Sequence, residues 1–203
     1  MASSVPASAL VRRIQRLQIV TIAWMILEAL VSLWAAWRAK SPALLAFGGD
    51  SAIELLSAVV VLWRFRDRNQ SESAEWRAAR LAGALLILLT IYVLAVAIAT
   101  LRGYAEPAPS YTGIAILMAA SVVMPWLALQ KRQLSAATGS AALRADAAES
   151  MLCAYLSFIA LLGLSAGAFF HISWPDPVAA LTLTPLIIWE ARQALRGKSC
   201  GCA

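Results

Sequence analysis

Asp50 and Glu54 stand four residues apart, and Glu149 and Cys153 repeat that spacing further along the chain. In a helix, residues at i and i+4 project from one face. Carboxylates and a thiolate are donors for a divalent cation, and two helices offering two ligands each can enclose one tetrahedral ion. Both pairs sit in long apolar runs. An ionised carboxylate at the centre of a bilayer costs about 2.5 kcal/mol or more, so a chain that keeps several there is expected to use them. Asp146 and Glu28 are secondary candidates of the same kind. Glu28 lies mid-run in AWMILEALVSLW, as a ligand, a proton carrier or a partner for a basic group.

Each of these residues has a plainer reading. Asp50 is close enough to a helix end to be an interfacial acid in contact with water. Asp146 and Glu149 suit a helix N-terminus, whose dipole favours acids. Cys153 alone is a packing residue, and gains weight by following Glu149 by one turn. Glu28 can be protonated and hydrogen-bonded. Ser51 and Ser57 serve either as hydrogen-bond donors behind the ligands or in helix packing. The single histidine, His171, reads as interfacial. Cys200 and Cys202 form a Cys-x-Cys tail that can capture soft metals or do nothing specific.

The elements that must hold these groups are membrane helices. The 203-residue chain is 61% hydrophobic and 14% charged, against about 25% charged in a soluble domain. Six runs reach the roughly 20 residues a span needs: about 17–37, 44–63, 78–101, 111–129, 147–170 and 177–195. Residues 196–203 follow as a short cytoplasmic tail. Of the 17 basic residues, Arg38, Lys40 and Arg102 fall on one side of this arrangement and the other 14 on the opposite side. That asymmetry sets both termini in the cytoplasm. Net charge is +6, and this reading assigns it to topology and to contact with anionic lipid headgroups, not to nucleic acid. No cleavable leader pattern precedes the first run. Nothing resembles a phosphate loop, a nucleophile elbow or a metalloprotease motif, which argues against an enzyme.

Small residues Gly48, Gly49, Ser57 and Gly163 are expected to let the second and fifth helices approach and rock. Gly49-Asp50-Ser51-Ala52-Ile53-Glu54 faintly echoes Ala145-Asp146-Ala147-Ala148-Glu149-Ser150, as in sites built between two comparable helices.

These segments resemble the cation diffusion facilitator family of divalent-metal transporters. FGGDSAIELLSA is similar to that family's second-helix motif, ADAAESMLC to its fifth-helix motif, and DPVAALTLTPLIIWEA to its sixth helix. The likeness covers nearly the whole chain and is nearest to a compact six-helix branch without the cytoplasmic C-terminal domain. Three positions depart from it: Glu54 replaces an Asp, Glu149 the His of zinc-selective members, and Cys153 an Asp. The resemblance implies a metal set of Asp50, Glu54, Glu149 and Cys153. The cation itself, Zn²⁺ first and Co²⁺ or Fe²⁺ next, is the substrate, and no organic cofactor is needed. The expectation is an all-α polytopic homodimer of the inner membrane, exporting the cation in exchange for protons. The alternative is a membrane metal-binding or accessory protein without turnover.

Overall fold

A computed structural model describes residues 7–66, 72–139 and 141–196. Inside a bilayer every backbone N–H and C=O needs a partner within its own segment, so apolar runs of this length become helices. Six form: α1 Ala7–Ala39, α2 Pro42–Arg66, α3 Glu72–Leu101, α4 Tyr111–Thr138, α5 Ala141–Phe170 and α6 Pro175–Leu195. Each of the six apolar runs lies within one of them, and most helices extend past the run. Segments Leu10–Ala39, Arg80–Leu101, Tyr111–Thr138 and Asp146–Phe170 are long and apolar enough to cross a membrane on their own.

Helix ends follow local chemistry. Ser110 accepts a hydrogen bond from the Gly113 amide and starts α4. Gly139, at φ 67°, ends it in the left-handed region that only glycine enters without strain. The start of α2 is held from two directions. Ser41 Oγ accepts from the Leu44 amide, and Asp176 of α6 accepts from both Ser41 Oγ (2.9 Å) and the Ala43 amide (3.2 Å). The Asp-Pro that opens α6 therefore also caps α2.

The molecule is apolar outside as well as inside. Trp34, Trp37, Tyr104, Tyr111, Phe169, Phe170 and Trp174 are all exposed. They belong to the ends of α1, α3, α4, α5 and α6 that lie on the side expected to be extracytoplasmic. This is the aromatic girdle of a membrane–water interface.

Within the bundle α2 is the hub, packing against α1, α3, α5 and α6. The expected role of the small residues needs correction. Gly48 faces Ser32 and Leu33 of α1, Gly49 faces Leu89 of α3, and Gly163 faces Ala179 and Pro175 of α6. None of these three opens the α2–α5 contact, and the Ser57 side chain lies outside the described residues. At the level of the candidate site, α2 and α5 meet instead through Ser51 against Cys153 and Glu54 against Ser150. The helix surface turns by 100° per residue, so neighbouring glycines face different partners.

Candidate metal centre

The α2–α5 crossing brings together Asp50, Glu54 and Cys153. One ligand atom from each lies within 4.8 Å of the other two, and all three side chains are buried. The i,i+4 spacing explains the α2 half, since both acids leave one face a turn apart. Cys153 enters from α5 opposite them. Asp50 Oδ1 has no hydrogen-bond partner among the described residues. A buried acceptor left open costs free energy, and here it borders a cluster of cation ligands.

The other sequence candidates are distributed around this trio. Glu149 is half-buried and stands outside the group of three. Its charge still acts on both Asp50 and Glu54. Glu28 is fully buried and reaches the site from α1. Its Oε1 accepts from Ser51 Oγ (2.7 Å) and from Cys153 Sγ (3.4 Å), and its Oε2 accepts from Trp24 Nε1 (2.6 Å). Asp146 lies beside the site in an ion pair. His171 is exposed at the far end of α5. Cys200 and Cys202 lie outside the described residues.

Two neighbours escape the motif reading. Glu190 of α6 is buried and hydrogen-bonds Asp50. An acid inside the sixth apolar run was the available signal. The second is Lys131, which charge counting places among topology-setting loop residues. It is instead a fully buried residue of α4. Its Nζ donates to Asp146 Oδ1 (2.9 Å) and to Ser150 Oγ (2.7 Å). Gln18 Nε2 donates to Asp146 Oδ2 (2.5 Å). The fourth helix runs nine residues beyond the expected Leu129, to Thr138, and carries Lys131 with it. A buried lysine requires a paired carboxylate, and Asp146 supplies it.

The Lys131 layer joins the candidate site through Ser150, whose Oγ lies 3.5 Å from Glu54 Oε1. One turn further from the site, Ile14, Leu134 and Leu143 form a small buried apolar cluster of their own. These residues come from the same three helices, at Gln18−4, Lys131+3 and Asp146−3. An ion pair backed by a greasy plug thus closes one side of the cluster.

A trio of oxygen and sulfur donors in a dry interior, next to the further acids Glu28, Glu149 and Glu190, suits a cation. Residues 18–198 match the model of the cation efflux transmembrane domain. The chain belongs to the cation efflux family. The match spans nearly all of the 203 residues. Cation efflux proteins are multi-pass membrane transporters of divalent metal cations, and this chain has the all-helical form that role requires. No curated protein sequence matches the chain.

Proposed function

We propose that this cation efflux protein exports a divalent transition-metal ion across the inner membrane, with Zn²⁺ the first candidate and Co²⁺ or Fe²⁺ the next. The observation that carries this reading is the convergence of Asp50, Glu54 and Cys153 on one point at the α2–α5 crossing. A mixed carboxylate and thiolate set suits borderline ions better than Mg²⁺ or Ca²⁺, which prefer oxygen alone. Glu149 adds negative charge from the next turn of α5 and is the fourth member of the ligand set read from the sequence. The Cys200-x-Cys202 tail collects soft metal ions on the cytoplasmic side.

Proton coupling follows from the ligands. Each must lose its proton to bind metal, so cation and protons compete for the same atoms. An inward proton gradient then drives metal outward by alternating access, and the Lys131 layer with its apolar plug is the seal on the cytoplasmic side. Both termini face the cytoplasm, and the working unit is a homodimer in the lipid bilayer.

Reconstitution into liposomes with a pH gradient tests the reading. Uptake of Zn²⁺ and Co²⁺ is expected to follow the gradient and to vanish in Asp50→Asn while the variant remains folded in detergent. Tight binding without flux of either ion would favour an accessory protein. Normal transport by Asp50→Asn would remove the site from α2.

A further inference from the structure

A tetrahedral cation needs four donors, and the trio supplies three. The sequence offers Glu149 as the fourth, on the spacing of α5 alone. The structure offers a second carboxylate, fully buried, from a third helix and in contact with Cys153. We propose that Glu28 of α1 is the fourth ligand of the cation site, an inference that rests on the trio being that site.

Three observations carry it. The first is distance. Glu28 Oε1 lies 3.4 Å from Cys153 Sγ. With metal–sulfur and metal–oxygen bonds of about 2.3 and 2.0 Å, the sulfur–oxygen edge of a tetrahedron is about 3.5 Å. The two atoms already stand at the separation a shared ion imposes.

The second is the hydrogen-bond arrangement. Oε1 has two lone pairs. Ser51 Oγ takes one and the Cys153 thiol proton the other. A cation bound by the thiolate takes the place of that proton and inherits its lone pair. Meanwhile Trp24 Nε1 holds Oε2 at 2.6 Å. A donor on the non-ligating oxygen fixes the orientation of a metal-binding carboxylate.

The third is burial. Neither Glu28 nor Glu149 belongs to the group of mutually close ligand atoms, but Glu28 is fully buried whereas Glu149 is half-buried. A carboxylate with no access to water gains more from a cation than one that keeps part of its hydration. The resulting set draws on α1, α2 and α5, three carboxylates and one thiolate.

Cobalt reports this directly, because tetrahedral Co²⁺ has intense visible ligand-field bands and a bound thiolate adds charge transfer. Purified full-length protein in detergent is titrated with CoCl₂ as wild type and as Glu28→Gln, Glu149→Gln, Cys153→Ser and Asp50→Asn. Gln keeps the length of Glu28 and an acceptor for Trp24. Glu28→Gln is expected to lose the tetrahedral bands and at least tenfold in affinity, since removing even an outer-shell partner costs about 10–100-fold. Glu149→Gln is expected to keep the bands. Tetrahedral bands retained in Glu28→Gln, or lost only in Glu149→Gln, overturn the assignment. If Cys153→Ser and Asp50→Asn also leave the spectrum unchanged, the trio itself is misplaced, a failure distinguishable from that of Glu28 alone. Should Glu28→Gln not fold, Glu28→His is read instead: an imidazole ligand shifts the bands, and unshifted bands overturn the assignment.

Discussion

Lys131→Met removes an ammonium and keeps most of the side chain's length. In the wild type that ammonium touches Asp146 and Ser150, and the Lys131 and Asp146 side chains are 0% and 1% exposed. After the change, Asp146 retains Gln18 as a donor but no compensating charge. Breaking a buried pair by removing one partner costs about 3–5 kcal/mol, and replacing both partners with apolar groups is often neutral. Lys131→Met is therefore expected to lose about 3–5 kcal/mol. The double variant Lys131→Met/Asp146→Leu is expected to recover most of that loss, although it leaves Gln18 without its acceptor. The assay is reversible unfolding in mixed detergent micelles, followed by circular dichroism, for both single variants and the double. A coupling of several kcal/mol is the expected result of the cycle. A single-variant loss below about 1 kcal/mol, with no recovery in the double, would refute a dry, obligate pair. It would mean that water reaches Asp146 and that the layer is not a seal.

Cys153→Ser replaces a soft thiolate by a hard hydroxyl, so the ratio of Zn²⁺ to Mn²⁺ flux in liposomes is expected to fall; an unchanged ratio would place Cys153 outside the ligand set. A Cβ at Gly163 would overlap that of Ala179 and press on the Pro175 carbonyl, so Gly163→Ala is expected to cost about 1–3 kcal/mol through overpacking of α5 on α6, read in the same unfolding assay. Changing Cys200 and Cys202 together to Ser is expected to leave liposome flux nearly intact, and total loss would make the tail essential. Asp176→Ala removes the acceptor of two hydrogen bonds at the start of α2 and is expected to cost about 1–2 kcal/mol, the range for a lost helix cap.

The architecture was legible because a bilayer leaves few options. Apolar runs of about 20 residues must be helices, and six runs became six helices. The i,i+4 rule found Asp50 and Glu54 as a pair because a single helix fixes their relation. It could not rank Glu28 against Glu149, since that depends on how α1 and α5 rotate about their own axes. Lys131 shows a different limit. Counting charges by side assumes that a basic residue after an apolar run lies in a loop. In QKRQLSAAT nothing local marks one cation as buried while its neighbour Arg132 is exposed. The pairing with Asp146 is tertiary, between the end of one helix and the start of the next. Glu190 was open to the same argument that singled out Glu28, an acid inside an apolar run. Its lack of an i,i+4 partner hid it from a search built on pairs.

The lengths of the polar contacts bear on how such a site can open. Bonds that tie α1, α4 and α5 at the Lys131 layer are 2.5–2.9 Å long. Those that tie α2 to α6 at its start include one of 2.9 Å. Direct polar contacts between α2 and α5 are longer, 3.5 Å for Ser150 to Glu54 and 3.8 Å for Ser51 to Cys153. At 3.5 Å an oxygen–oxygen hydrogen bond is weak, and a bond to a thiol is weak at any length. The seam through the proposed ligands is thus held by weaker polar contacts than the Lys131 layer. A cation held by Asp50 and Glu54 on one side and Cys153 on the other replaces those long contacts with metal–ligand bonds across the same seam. On this argument the substrate is the strongest tie between α2 and α5, and its loss frees the two helices to part where the polar contacts are already loose. Glu28 complicates a clean split, because its 2.7 Å bond to Ser51 spans α1 and α2. If Glu28 also binds the ion, cation release removes a tie between α1 and α5 but leaves the Ser51–Glu28 bond in place, so α1 stays with α2.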